Sequence, residues 1–135
     1  MAIHSIVVPL NTVSEAFMLF NQLLIPFVVD VRGERVHFDV GDYTHLMDDE
    51  ERLQRIRWIA ATIQNPVEIR RSHVKAKPFR EVYIAIIRIG EETEAEPFLV
   101  GIDRRLGRLD FRTAFVPELT YFQVVRRGEL LWRKL

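Results

Sequence analysis

The sequence contains no cysteine, and the common catalytic motifs built on other residues are missing too. Without thiols the chain has no disulfide framework, no cysteine zinc site and no cysteine nucleophile. Ser5, Ser14 and Ser72 stand outside any nucleophile-elbow motif, and the chain has no glycine-rich phosphate loop. These absences exclude cysteine hydrolases and thiolate-zinc proteins and leave the chemistry to other side chains.

Long apolar segments and a targeting sequence are also lacking. The longest apolar run, around Leu23 to Val29, is interrupted by Pro26 and is far shorter than the roughly 20 residues of a membrane span. The first ten residues lack the charged start and the apolar core of a signal peptide. We therefore expect a soluble, cytoplasmic protein with no membrane partner.

The composition suits one domain whose charges are unevenly distributed. The 135 residues are 48% hydrophobic, which is enough for the core of a single domain spanning residues 1–135. The net charge is zero, but there are five Lys and Arg against ten Asp and Glu up to Ile69, and fourteen against nine from Arg70 onward. Because the local field decides polyanion binding, the second half is either a nucleic-acid surface or an ordinary solvated one.

The N-terminal third predicts a helix followed by a small hairpin. Thr12-Val13-Ser14-Glu15 has the pattern of a capping box, and the apolar residues after it recur with helical spacing up to about Leu24. Pro26 to Val31 is β-branched, and Val36 to Val40 alternates with period two. We expect these two segments to pair, with Gly41-Asp42 closing the hairpin.

A second helix is predicted in the middle of the chain. The acids Asp48 to Glu51 stand where a helix dipole favours negative charge. A buried stripe then follows at Leu53, Ile56, Ile59, Ala60 and Ile63. Because Pro66 disfavours helical geometry at the residue before it, the helix should end near Gln64.

The second half predicts strands. Four segments are rich in β-branched and aromatic residues and are joined by short connections: Glu81–Ile89, Phe98–Asp103, Leu109–Val116 and Thr120–Arg126. Short connections permit only antiparallel pairing. We therefore predict an α+β fold, with N-terminal helices, a small N-terminal hairpin and an antiparallel sheet of about four strands. The apolar end around an exposed Trp132 is a candidate contact in a homo-oligomer.

An ordered set of segments resembles the barnase/EndoU/colicin/RelE-like (BECR) nuclease superfamily, and most of all its phage- and toxin-associated branches. The segments are His45, Arg57 to Ile63, Asn65-Pro66-Val67-Glu68-Ile69, Arg80 to Ile84 and Arg112 to Phe115. The resemblance covers about residues 40 to 116. His37 and His45 each match the histidine of the pattern, and Phe115 replaces its usual tyrosine, so a hydroxyl is lost there.

The resemblance implies a metal-independent ribonuclease or transfer RNA nuclease that needs no cofactor. RNA and a cognate inhibitor are the candidate partners. Two alternatives stay open on the same fold: a non-catalytic interaction or oligomerisation module, and an RNA-binding domain that does not cleave.

Metal-free RNA cleavage needs a proton acceptor, a proton donor and cations for the phosphorane. His45 is the candidate acid or base because histidine exchanges protons near neutral pH, although it also suits a helix entry. Arg80 is the candidate phosphate clamp, or else an ordinary strand-edge ion-pair partner. Tyr83 and Thr113 complete the catalytic set, Tyr83 as a proton donor or a stacking partner for a base and Thr113 as a hydroxyl donor. Both residues are also typical of a buried core.

Thr113 and its neighbour Arg112 cannot both line one site on a regular strand, since consecutive side chains point to opposite faces unless a bulge intervenes. The alternation places Thr113 on the apolar side. The predicted RNA-binding residues are Arg70, Arg71, His73, Lys75, Lys77 and Arg112. A solvated loop explains most of them equally well.

A metal site is not expected. His37 with Asp39, and Asp42 with His45, each supply only two ligands, and neither spacing matches a known metal motif.

Overall fold

The computed structural model describes residues 2–5, 13–47, 56–89 and 94–135, which form an α+β fold. Its helices are α1 (Val13–Leu23), α2 (Val40–Met47), α3 (Ile56–Gln64) and α4 (Leu119–Val125). Its strands are β1 (Ala2–Ser5), β2 (Phe27–Val29), β3 (Arg35–His37), β4 (Glu68–Arg71), β5 (Arg80–Ile89), β6 (Glu96–Arg105), β7 (Arg108–Phe115) and β8 (Leu130–Arg133). None of these helices is long and apolar enough to cross a membrane.

All eight strands belong to one mixed sheet. Seven follow the order β2-β3-β7-β6-β5-β4-β8, and β1 pairs with β5 outside this path. The long strand β5 has β6 along one edge. On its other edge, β4 covers residues 81–84 in antiparallel fashion and β1 covers residues 86–89 in parallel.

The predicted meander is confirmed for three strands, β5, β6 and β7, but the prediction of about four antiparallel strands was wrong. The hairpin β2-β3 is present as predicted. It joins the same sheet, because β3 returns to pair in parallel with β7. The strands β4 and β8 extend the opposite edge. Both are only four residues long, and the polar sequence of Glu68–Arg71 gives no alternation to detect.

The expected strand over Thr120–Arg126 was also wrong, since this segment is helix α4. Its many β-branched and aromatic residues suit a strand. Phe122 and Val125 lie three residues apart, however, and pack together against the sheet residues Val82, Ile84 and Leu99. Tertiary burial of this helical pair outweighed local propensity.

Helix α2 replaces the expected end of the hairpin. The backbone amide of Asp42 donates to Asp39 Oδ1 at 3.2 Å, while the amide of Asp39 donates to Asp42 Oδ2 at 2.8 Å. This reciprocal pair is a capping box, and it starts the helix at Val40. His45 therefore lies in the last turn of α2. The acidic segment Asp48 to Glu51, and the cap residue Thr12, lie outside the described residues.

The main core lies between the sheet and helices α1 and α3. Ile56, Ile59 and Ile63 of α3 are fully buried there, each stabilising the fold by about 1.5–3 kcal/mol, and the helix ends at Gln64 as predicted. Trp132 was expected in an exposed tail, but it is half-buried in β8 and packs against this core. The apolar chain end is part of the sheet.

Candidate active site

The face of the sheet opposite α1 and α3 carries a cleft beside α4. Helix α4 covers Val82, Ile84 and Leu99 on this face. Next to it lies a cleft of about 100 Å³, whose lining includes Gly101 and Phe115. Its polar lining residues are Ser72, His73, Lys77, Arg80, Thr113 and Tyr121.

A β-bulge in β7 brings two neighbouring side chains to this face. Ile102 pairs with Phe111 and Gly101 pairs with Thr113, so Arg112 is an extra residue between them. Phe111 is buried in the core, whereas Arg112 is exposed and Thr113 lines the cleft. The bulge thus removes the geometric conflict between Arg112 and Thr113, because both can lie on the cleft face.

Arg80 and Arg112 are joined by one buried carboxylate. Arg80 donates from Nε to Asp103 Oδ1 at 2.8 Å and from Nη2 to Oδ2 at 3.3 Å, and Arg112 donates from Nε to Oδ2 at 3.0 Å. Burial alone would raise the pKa of Asp103, but the hydrogen bonds and positive charges of the two arginines outweigh it and lower the pKa below its ordinary value. Asp103 is therefore ionised at neutral pH.

Gly101 lets Thr113 and Arg80 approach each other on the cleft floor. A Cβ atom at this position would lie 2.9 Å from Thr113 Cγ2 and 3.7 Å from Arg80 Cδ. The first distance is shorter than a van der Waals contact, so a side chain here would displace Thr113.

The connection between β4 and β5 supplies the other wall. It folds tightly, because Ser72 Oγ accepts from the amide of Val74 at 3.1 Å and the amide of Lys77 donates to the carbonyl of Val74 at 2.9 Å. These turns bring His73 and Lys77 to the cleft. The His73 ring lies edge-on to the ring of Tyr121, with centroids 5.8 Å apart.

The cleft collects cations, an imidazole and hydroxyl groups, and no carboxylate is among its lining residues. This is a suitable donor set for binding and cleaving a phosphodiester. A family model described as phage-Barnase-EndoU-ColicinE5/D-RelE like nuclease 2 matches residues 16–133. The chain belongs to this family. No curated protein and no solved structure matches it significantly.

The BECR resemblance is thereby confirmed, over a longer stretch than the expected residues 40 to 116. Within this nuclease-like domain, the structure brings together Arg80 and Thr113 from the predicted catalytic set. It adds His73 and Lys77 from the predicted RNA-binding set, and Arg112 joins them through Asp103.

Tyr83 does not join them. It is fully buried on the helix-covered side, where its hydroxyl donates to Asp30 Oδ2 at 2.5 Å and accepts from Arg32 Nη2 at 2.8 Å. Burial first, and then the bond to Asp30, raise the pKa of Tyr83 above its ordinary value. Arg32 also binds Glu81 at 2.6 Å, and Arg104 binds Glu81 at 2.7 Å. Tyr83 therefore belongs to a polar network that fastens the β2-β3 turn to the nuclease-like domain's sheet.

The two candidate histidines also lie outside the cleft. His45 is exposed on α2 and is not one of the cleft-lining residues. His37 lies in β3, opposite Asp110 in the sheet register, with its ring 5.9 Å from that of Phe27. In the described part of the chain, no group of three or more His, Cys, Asp or Glu side chains is placed to hold a metal ion.

Four predicted RNA-binding residues are not among the lining residues of the cleft: Arg112, which is joined to Arg80 through Asp103, and also Arg70, Arg71 and Lys75. Arg70 binds the carboxylate of Glu68 at 2.9 Å and the carbonyl of Gly128 at 2.9 Å. Arg71 donates to the carbonyl of Pro78 at 3.0 Å. Lys75 is exposed in the connection that carries His73 and Lys77.

The sequence reasoning missed Ser72, Gly101 and Tyr121 among the lining residues of the domain's cleft, and also Asp103, which binds Arg80. Tyr121 could have been found from the sequence. Phe122 and Val125 are three residues apart, which is typical of the buried face of a helix, and a helix directs the neighbouring Tyr121 side chain differently from a strand. Asp103 and Gly101 gave no such signal, since each is an ordinary strand residue until its cross-strand neighbours are known.

Proposed function

We propose that this domain is a ribonuclease that cleaves RNA without a metal ion, in the cleft lined by His73, Arg80 and Thr113. The observation that carries the proposal is the bulge at Arg112. It gathers two guanidinium groups and a hydroxyl on the same face as the imidazole and the ammonium group of Lys77. Membership of a nuclease-like family supports this assignment.

The chemistry follows from the side-chain types. His73 takes the proton from the ribose 2′-hydroxyl, and the 2′-oxygen attacks the adjacent phosphorus. Arg80, Arg112 and Lys77 stabilise the negative charge of the phosphorane, and Thr113 donates a hydrogen bond to it. The bond from phosphorus to the 5′-oxygen breaks, that oxygen takes up a proton from water, and His73 returns its proton to the solvent. The products are a 2′,3′-cyclic phosphate and a 5′-hydroxyl.

The aromatic side of the cleft suits the base of the bound nucleotide. Phe115 and Tyr121 lie with ring centroids 5.7 Å apart, and the edge contact between Tyr121 and His73 continues this apolar wall. Base stacking on such rings tolerates every base, since every base has a π-face. Total RNA and transfer RNA are therefore suitable first substrates.

A matched pair of histidine variants tests the proposal. RNA cleavage in the presence of a chelator is measured for the unaltered protein, His73→Ala and His45→Ala, with circular dichroism to verify folding. We expect cleavage by the unaltered protein, and a loss of roughly 10²–10⁴-fold for His73→Ala because a proton-transfer group is removed. His45→Ala should retain activity because His45 lies outside the cleft.

The other outcomes are informative. Loss of cleavage in His45→Ala but not in His73→Ala would restore His45 as the acid or base. Cleavage that disappears only on adding chelator would contradict the metal-free mechanism. Intact RNA, with binding that weakens steeply as salt is added, would make the domain an RNA-binding module without cleavage.

A further inference from the structure

We propose that Asp103 is a positioning residue that holds Arg80 and Arg112 together as a two-arginine phosphate clamp. The inference rests on the proposed function, in which an RNA phosphate enters this cleft. Asp103 itself touches no substrate in this scheme. It acts through the two guanidinium groups.

The burial pattern separates the carboxylate from the arginines it holds. The Asp103 side chain is 3% exposed, that of Arg80 is 21% exposed and that of Arg112 is 51% exposed. Exposure therefore increases from the carboxylate to Arg112. A ligand in the cleft would meet Arg80, which lines it, and the more exposed Arg112 is held next to Arg80 by the buried carboxylate.

The hydrogen-bond pattern leaves donors available for a phosphate. Arg112 uses Nε for Asp103, and Arg80 uses Nε and Nη2. Within the described residues, no other bond is formed by the remaining terminal nitrogens of these two guanidinium groups. A guanidinium held by its Nε edge presents its outer nitrogens in a fixed plane, which suits phosphate oxygens.

Electrostatics gives the reason for a shared carboxylate. Two guanidinium groups that approach one phosphate also repel each other, and the repulsion strengthens as water is excluded. One carboxylate between them offsets this repulsion and leaves a net charge of +1 for the three side chains. That charge matches the single negative charge of a phosphodiester.

The variant Asp103→Asn distinguishes a role of Asp103 in positioning the two arginines from an effect of its negative charge alone. If Asp103 were only a negative charge near an anion site, its removal would strengthen RNA binding. In a positioning role, the Asn side chain can accept from Arg80 at its one oxygen, but its amide group then faces the Nε–H donor of Arg112. We expect Arg112 to be released and RNA binding to weaken. The two models predict changes of opposite sign.

Asp110→Asn is the matched control. Asp110 lies opposite Asp103 in the sheet register, but its carboxylate is 38% exposed and binds Arg108 at 2.9 Å. Removing this charge should leave binding unchanged or strengthen it slightly, because neither clamp arginine depends on it. Both variants make the same chemical change, Asp to Asn, but the control makes it on the neighbouring strand β7.

The binding probe is a 2′-deoxy oligonucleotide labelled with a fluorophore, measured by anisotropy over a series of salt concentrations. Lacking the 2′-hydroxyl, it binds without being cleaved. For Asp103→Asn we expect weaker binding, and a salt dependence reduced by about 0.7 in the slope of log K against log salt, as for one lost phosphate contact. Cleavage of the matching RNA should show a lower kcat as well as a higher KM.

A double-mutant cycle with Arg112→Gln completes the test. Arg112→Gln should weaken binding in the unaltered protein and change it little in Asp103→Asn, because Arg112 is already released there. Independent, additive losses would overturn the proposal, and so would tighter binding by Asp103→Asn. If Asp103→Asn does not fold, Asp103→Glu retains the charge and moves the carboxylate by one methylene. Unchanged binding and cleavage in that variant would also overturn it.

Failure of the inference and failure of the proposed function give different results. If the unaltered protein leaves RNA intact but the anisotropy results follow the expected order, the clamp stands and the ribonuclease assignment falls. If RNA is cleaved equally by the unaltered protein and Asp103→Asn, the ribonuclease assignment stands and the positioning role falls.

Discussion

At the scale of single residues, the cleft depends on a position that has no side chain. Gly101 pairs with Thr113 across β6 and β7, and the space above it is taken by the Thr113 methyl group and the Arg80 stem. Its backbone is ordinary strand, so the glycine is needed for space and not for conformation. A Cβ atom here would lie 2.9 Å from Thr113 Cγ2, so there is no room for a side chain unless Thr113 moves.

Gly101→Ala should therefore impair the cleft while leaving the fold intact. The new Cβ would meet Thr113 Cγ2 at 2.9 Å and displace it, and misplacement of about 1 Å costs up to about a hundredfold in rate. RNA cleavage assays with thermal melting would measure this. In the double variant Gly101→Ala with Thr113→Ser, the clashing methyl is gone and the hydroxyl remains, so activity should recover. No recovery would contradict the steric explanation.

At the scale of secondary structure elements, the bulge in β7 determines which residues meet. If β7 were a regular strand, Thr113 would lie on the same face as Leu109 and Phe111 and would be buried with them, as the alternation of the sequence indicates. The extra residue Arg112 shifts the pattern by one, so Ala114 returns to the core and Thr113 reaches the cleft. A bulge is a property of two paired strands, and for this reason the sequence of β7 alone did not predict it.

Deleting Arg112 should remove the bulge without altering the core. Phe111 would remain opposite Ile102 and Thr113 opposite Gly101, now in a regular ladder, so unfolding by urea should be nearly unchanged while RNA cleavage falls. The matched control deletes Asp110 from the same strand. That change turns Phe111 out of the core, and we expect a loss of roughly 3–5 kcal/mol, as for truncating a buried Phe. Equal stability of the two deletions would contradict the register.

At the scale of the whole molecule, buried and half-buried carboxylates join residues that are remote in sequence, as Glu34 does with Arg104 and Glu68 with Arg126. Hydrogen bonds from Arg104 lower the pKa of Glu34. For Glu68 and Asp103, burial would raise the pKa, but hydrogen bonds from neighbouring arginines outweigh it and lower the pKa. Asp42 acts in the opposite direction, since its burial raises its pKa.

The protein should lose stability on acidification. Where the pKa of a carboxyl group is lower in the folded chain, the unfolded chain binds more protons, and the stabilisation is lost as pH falls below the ordinary value of about 4. Glu34, Glu68 and Asp103 are three groups with a lowered pKa, and Asp42 is one group with a raised pKa, so the loss of stability in acid prevails. Urea midpoints should therefore fall between about pH 6 and about pH 3. Glu68→Gln should show a smaller fall, because it lacks one of these groups, and an equal fall in this variant would contradict the assignment.

The sequence by itself determined the elements whose signals are local. Helix α1, the end of α3 at Gln64 and the meander of β5, β6 and β7 follow from apolar periodicity, proline geometry and short connections. The family resemblance also came from the sequence, because the segments that carry it keep their order along the chain. The pair Asp39 and Asp42 was also visible in the sequence, but we expected the hairpin to close there, and its reciprocal capping of α2 was not predicted.

Only the tertiary structure decided which of the candidate residues meet. Arg80 and Asp103 are 23 positions apart, and their contact depends on the register between β5 and β6. The same pairing separates Tyr83 from the cleft, since alternate residues of β5 face opposite sides of the sheet. Strand register and a bulge are set by contacts between remote segments. Register and bulge therefore determine which side chains meet in the site, although local sequence patterns determine most of the helices and strands that carry those side chains.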